Sequence, residues 1–311
     1  MQDRMTFAGQ LDCYKQSNEI LSKFLNVEVN AMQVHRVTDT YGSMLEQQAM
    51  SEQTSEDVIE IKEGESVYAM VDGSMILTRE KKWSEAKLGR IFKASDCMEI
   101  SEEHGWIRHS LYDAYLGSHK TFTLRFEQKL DYYAHLNENL IFITDGAVWI
   151  KNWISDAYPK ATQVLDYYHA CEHLCNFAKE YFKDEQEKND WVKKQKTLLY
   201  ESQVEQVIIN IQSLPTDKKS IEKIKNDLLQ YYHANKGRMD YKRYKKMGAG
   251  LIGSGAIESA HRTVIQKRMK QSGQRWTLKR AQNMLNLRCI SLSGKWNKVV
   301  NLICSQQALA A

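Results

Sequence analysis

Two aspartates in this 311-residue chain are each followed by glycine at the close of an apolar run, Asp72 in AMVDGS and Asp145 in FITDGA. A carboxylate at the end of a strand projects from the rim of a sheet. A glycine behind it lets the backbone turn, so that a cation or phosphate can approach closely. Glu258, in GSGAIES, falls one turn into a helix with a glycine-rich lead-in, from which it can swing a third carboxylate over the same rim. Oxygen ligands suit hard divalent cations such as Mg2+, and a two-metal site activates the attacking oxygen and stabilises the leaving one in phosphoryl displacement. A single Asp-Gly pair usually makes only a turn. Two such pairs, each after a strand of the buried type, shift the balance towards a metal-binding site.

The elements that must position these groups follow from periodicity. Residues 10–50 read as helices, over Leu11–Leu25 and again from about Ala31, with a polar NVEVN break between them. This stretch has the cadence of a helix-turn-helix, with Gln33, His35 and Arg36 towards one side of the second helix, although helical hairpins without DNA contacts are commoner. TSEDVIEIKEGES reads as an acidic linker. From Ser66 the pattern turns to three short strands, SVYAMVDGS, MILTRE and KLGRIFKAS, as in an antiparallel meander. Residues 131–139 read as the end of a helix, and NLIFITDGA as a strand covered on both faces. A helix over about 147–156 leads through Pro159 to the buried strand TQVLDYYH. Charged helical stretches fill 171–246, and GAGLIGSG opens a last helix. The order of three strands, helix, strand, helix, strand, helix implies an α/β protein with a ribonuclease-H-like mixed sheet and a large all-α insertion. The expected domains are a helical region over 1–60 holding a DNA-binding remnant and linker, a catalytic unit over 65–170 and 250–290, the insertion over 171–249, and a tail over 291–311.

Charge is distributed unevenly. Ten of the 43 basic residues, and none of the 39 acidic ones, follow Glu258, leaving 33 basic residues against all 39 acidic ones up to that point. A solvated helix face normally mixes signs, so a one-signed segment points to a polyanion, most commonly nucleic acid. Arg262, Arg268, Lys270 and Arg275, with His261 beside them, could neutralise phosphates. Trp276 could stack on an unpaired base, with core packing as the competing role. There is no long apolar run and no signal-like N-terminus, so a cytoplasmic, nucleoid-associated protein without membrane contact is expected. The six cysteines form no CxxC pair and read as reduced thiols. His169 with His173, and Cys171 with Cys175, are each four apart on one helix. At 3.6 residues per turn the two pairs point to nearly opposite faces, which argues against one tetrahedral zinc site.

Taken together, VDGSMILTRE with WSEAKLGRIF, then ITDGAVWIKNWISDAYPKATQVLDYYHACEHL, then GSGAIESAHRTVIQKRMKQSGQRWTLKRAQNMLNLR resemble bacterial insertion-sequence transposases of the DDE superfamily. Within it they are most similar to the Mutator-like branch with a helical insertion before the last carboxylate. The resemblance covers roughly residues 65–290. It implies a catalytic triad at Asp72, Asp145 and Glu258 holding two Mg2+ ions, with Mn2+ as a substitute. That branch carries a Cys-or-Asp, two residues, then His after the second aspartate, which Asp166 and His169 match; His169 is expected near the scissile phosphate and not on the metal. Trp83, Glu85 and Lys87 also recur in the pattern, without an assignable chemistry. The implied partners are transposon terminal inverted repeats and target DNA, engaged by a homo-oligomer. Relatives usually carry a longer DNA-binding region, so a shortened copy is expected. A non-catalytic DNA-binding derivative and a ribonuclease-H-like nuclease are the alternatives.

Overall fold

The computed structural model describes residues 1–49, 59–101, 104–133, 139–216 and 218–310. Three helices come first, α1 (Gln2–Leu11), α2 (Tyr14–Leu25) and α3 (Ala31–Ala49). Asn30 and Gln33 exchange side-chain-to-backbone hydrogen bonds of 2.8 Å, a capping box that starts α3. Gln33 is therefore engaged within its own helix, and His35 packs on Tyr14 with ring centroids 4.9 Å apart. The acidic linker lies largely outside the described residues, as do 134–138 of the expected helix end.

The strands are β1 (Val67–Thr78), β2 (Lys82–Lys93), β3 (Cys97–Ser101), β4 (His104–Ile107), β5 (Leu111–Leu116), β6 (Leu140–Thr144) and β7 (Thr162–Leu165), with α4 (His119–Leu130) before β6 and α5 (Val148–Ala157) after it. Five of them form one mixed sheet in the order β5-β2-β1-β6-β7, while β3 and β4 make a separate hairpin. β2 runs antiparallel to β1 and β5, and the β1, β6 and β7 pairings are parallel. The expected meander is corrected here. SVYAMVDGS and MILTRE are one continuous strand, paired with β2 from Val67 to Thr78, and the third sheet strand is β5.

Alternation along β1 divides the core. Val67, Ala69 and Val71, with Phe142 of β6, pack against Phe122 and Phe126 of α4 and Ile150 and Ile154 of α5. Tyr68 and Met70, with Ile141 and Ile143, face the later helices. Because helices cover both faces, β6 is buried at every position and apolar up to Thr144, as its sequence indicates.

Those later helices are α6 (Tyr167–Tyr181), α7 (Glu185–Tyr200), α8 (Val204–Gln212), α9 (Lys219–Asn235), α10 (Tyr241–Tyr244), α11 (Gly255–Ala260), α12 (Lys267–Met269), α13 (Leu278–Leu292) and α14 (Asn297–Ala310). A π-helical turn, His261–Gln266, joins α11 to α12. Residues 297–310, expected to be tail, form α14, which buries Val299, Leu302 and Ile303 with Tyr41, Leu45 and Leu287.

The N-terminal helices are built into this core. A Cβ on Gly42 would come within 2.6 Å of the Asn283 carbonyl oxygen, so glycine lets α3 lie directly against α13. Buried Arg125 of α4 donates to Asp113 of β5 at 3.1 and 3.2 Å, Glu46 of α3 at 2.7 Å and Asn286 of α13 at 3.2 Å. Burial disfavours its charge, but Asp113 and Glu46 outweigh that and hold its pKa above the ordinary arginine value. Loss of Arg125 would leave the Asp113 carboxylate buried without its cation, so the network ties four elements together. No helix among the described residues is long and apolar enough to cross a membrane.

Candidate active site

Met70 pairs with Ile143 at the last rung of the parallel β1–β6 ladder, so Asp72, within β1, and Asp145, one residue past the end of β6, each stand two residues beyond it. Two residues also preserves the side-chain direction. Both aspartates therefore share the face of Tyr68, Met70, Ile141 and Ile143, on which α11 packs.

The two Asp-Gly pairs do different work. Gly146 takes φ +99° and turns the chain out of β6, while Asp145 Oδ1 accepts the Ala147 N–H at 3.1 Å at the start of α5. At Asp72 the expectation of a strand end is corrected: β1 continues, and Asp72 lies opposite Leu88 of β2. Gly73 makes no left-handed turn. It supplies space, since a Cβ there would collide with the Glu85 carboxylate. Glu85 itself pairs with Lys87 at 2.6 Å, and Lys87 Nζ also donates to the Gly117 carbonyl at 2.8 Å. By strand alternation this pair lies on the face opposite Asp72. Trp83 is 60% exposed further along β2.

Glu258 is brought to the same face by a clamp on both sides of its helix. Arg90 of β2 donates to the Ala256 carbonyl at 2.7 Å. Asp166, buried at the end of β7, uses Oδ1 to cap α6, accepting the Tyr168 and His169 N–H groups at 2.7 and 3.3 Å. Its Oδ2 accepts the Ser254 N–H at 3.2 Å and the Ser254 hydroxyl. Ser254 Oγ in turn lies 3.3 Å from Glu258 Oε1. The turn before Glu258 is thus tied to the strand end that follows Asp145 in the sheet.

Asp72, Asp145, Asp166, Tyr168, His169 and Glu258 line one cleft of about 280 Å3. The structure therefore brings together the triad and the histidine singled out by sequence. Among the described residues, no group of three His, Cys, Asp or Glu side chains is placed so that it could hold a metal ion as it stands. His169 stands partly exposed, with Nδ1 3.4 Å from Glu172 and Nε2 3.3 Å from His173 Nε2. Cys171, two residues on, is buried in the core.

The basic segment behaves less uniformly than its sequence suggests. Arg262, Lys270 and Arg275 are exposed, and Lys270 Nζ reaches Ser74 of β1 at 2.7 Å, two residues beyond Asp72. Arg268 is corrected from a phosphate ligand to a core residue. It is 1% exposed, donates to the Gly9 carbonyl at 3.0 Å, and lies 5.0 and 5.1 Å from the ring centroids of Tyr14 and Trp276. Trp276 is likewise buried, its indole N–H bonded to the Met269 carbonyl at 3.1 Å, and it cannot stack on a base. His261 is buried too, with Nε2 3.2 Å from Asp72 Oδ2. Burial alone would raise the Asp72 pKa; His261, the Gly73 N–H and His169 outweigh it and hold the carboxyl below its ordinary value.

Sequence reasoning missed several supports. Buried Arg288 donates to the Thr263 and Val264 carbonyls of the π-helical turn and to Gln10 of α1. Burial brings the Arg288 pKa down to about 10. Arg238, also buried, donates to Thr144 Oγ1 at 3.3 Å, directly before Asp145. Nothing local marks these arginines. Asp166 was recognisable, since aspartate before a helix is a preferred N-cap.

The fold and site define a mixed α/β protein with a carboxylate-lined cleft at the rim of its central sheet. The chain belongs to the uncharacterised protein family UPF0236, whose family model matches residues 7–305. No curated protein matches it.

Proposed function

We propose that this chain is a DDE-type DNA transposase, cleaving DNA at the ends of a mobile element and joining the freed 3′ hydroxyl to target DNA. The observation that carries this is the placement of Asp72 in β1 and Asp145 just past the parallel β6, each two residues beyond their last shared rung, with Glu258 entering the same cleft from α11. Numbered in chain order, the five sheet strands lie 3-2-1-4-5 with only the second reversed, which supports a ribonuclease-H-like unit over 65–170 and 250–290. Residues 171–249 are then its helical insertion.

Asp72, Asp145 and Glu258 would hold the metal. Carboxylates are the hard donors that Mg2+ takes, and Mg2+ is usually bound through one or two carboxylates plus substrate phosphates rather than in a closed protein cage. Asp72, Asp145 and Glu258 offer such donors along one cleft. Two Mg2+ ions bound there, or Mn2+ in their place, supply Lewis acidity for in-line displacement at phosphorus. The protein's own contribution is positional. Asp166 and Arg90 hold the helix that bears Glu258, and His261 steadies Asp72. His169 at the mouth can orient a water or a phosphate oxygen. Arg262, Lys270 and Arg275 can neutralise phosphates, which makes binding of the terminal repeats and target DNA salt-dependent. Cleavage and joining at two ends call for a homo-oligomer on DNA.

The test is strand cleavage by Asp145→Asn protein with Mg2+ or Mn2+. Loss of a direct ligand should exceed the roughly 10–100-fold that loss of an outer partner costs. Undiminished cleavage overturns the assignment. Products distinguish the neighbouring readings: joined strands mean a transposase, cleavage alone a nuclease, and retardation without cutting a DNA-binding derivative.

A further inference from the structure

A second cleft, of about 480 Å3, opens along α7 and includes Tyr167, Asn189, Lys193, Lys196 and Tyr200 in its lining. It is connected to the carboxylate cleft by a run of aromatic rings. Tyr168, on the wall of that first cleft, lies 5.5 Å centroid to centroid from Tyr167, and Tyr167 lies 6.0 Å from Tyr200. Tyr168 is 68% exposed and Tyr200 42%. Gly253 leaves room for the Tyr168 ring, because a Cβ there would come within 2.5 Å of it.

The charge along this cleft is positive and available. Among the described residues, neither Lys193 nor Lys196 has a carboxylate partner, whereas Glu185 and Glu201 at the two ends of α7 are already paired with Lys188 and Lys242. Exposed aromatic faces interleaved with unpaired lysines suit a single nucleic-acid strand. Every base has a face to stack, and the backbone carries a phosphate at each step.

We propose that the α7 cleft holds an unpaired stretch of the DNA strand leaving the carboxylate cleft, with bases against Tyr168 and Tyr200 and phosphates at Lys193 and Lys196. This rests on the DNA-cleaving function proposed above. It gives the helical insertion a role, namely guiding the strand on one side of the cut.

Binding of a fluorescein-labelled oligodeoxythymidylate of about 12 nucleotides, within the usual range for single-strand sites, tests it by anisotropy in EDTA, where no cutting occurs. The double variant Lys193→Gln/Lys196→Gln should bind about tenfold more weakly. Its slope of log affinity against log salt should be shallower by about 1.4, at about 0.7 per phosphate contact. Tyr168→Ala should lose at least about fivefold. Lys193 and Tyr168 are exposed and Lys196 is half-buried, and unchanged melting will show that the fold is intact. Wild-type affinity in both groove variants overturns the proposal, and so does an equal loss for duplex DNA of the same length. If the groove variants lose binding but the wild-type protein never cuts DNA with Mg2+, the groove stands and the transposase function falls.

Discussion

Replacing Asp166 by alanine removes one buried acceptor from four donors, the N–H groups of Tyr168 and His169 and the N–H and hydroxyl of Ser254. Loss of the N-cap costs about 1 kcal/mol. Loss of the charged acceptor for Ser254 costs about 2 kcal/mol more, since its donors are left in a closed turn. The sum of about 3 kcal/mol corresponds to a melting point lower by roughly 5 °C for a chain of this size. Asp166→Asn separates stability from positioning. Asparagine caps a helix as well as aspartate does, so stability should fall by only about 1 kcal/mol. Its amide nitrogen would face the Ser254 N–H, however, and the turn carrying Glu258 would loosen. A displacement of about 1 Å is enough to lower turnover about a hundredfold. Urea titration of both variants, beside Mg2+-dependent DNA cleavage by Asp166→Asn, measures the two effects. Wild-type cleavage by Asp166→Asn, or wild-type stability of Asp166→Ala, would refute the reasoning.

Gly42→Ala should destabilise the whole protein, because the added methyl meets Asn283 backbone atoms that cannot rotate away. Overpacking of about 2 kcal/mol outweighs the gain of up to about 1 kcal/mol in helix propensity; an unchanged or raised urea midpoint would contradict it. His173 packs on Tyr231 at 4.2 Å and beside His169, and burial first, then His169, holds its pKa below the ordinary imidazole value. In that window the unfolded chain binds the extra proton, so stability falls as the pH drops below about 6.5 towards the folded value. His173→Gln should flatten that acid limb in unfolding measurements between about pH 7.5 and 5; an unchanged slope would assign the limb to other groups.

Much around the two aspartates was legible from residue order alone. The unbroken apolar run of β6 indicated a strand covered on both faces, and α5 and the insertion helices follow from periodicity, whereas TQVLDYYH, read as strand throughout, leaves the sheet at Leu165 and enters α6 after its cap Asp166. These patterns are local, set within a few residues by side-chain alternation and backbone hydrogen bonding. The path of β1 was not legible, because Asp-Gly signals a turn unless a partner strand holds the backbone extended, and that partner is β2.

The fate of the cations was least visible. Arg262, Arg268 and Lys270 look alike in sequence, yet Arg268 is enclosed by Gly9 and Tyr14, more than two hundred residues earlier. A guanidinium meets phosphate or a buried carbonyl according to what packs over it, and only the folded chain decides that. Composition and spacing by themselves determined which carboxylates this protein has to offer and which elements bear them. Tertiary structure decided that Asp72 and Asp145 lie abreast, that Ser254 and Asp166 bring Glu258 alongside, and which positive charges remain free, because each depends on contacts between segments that chain order leaves far apart.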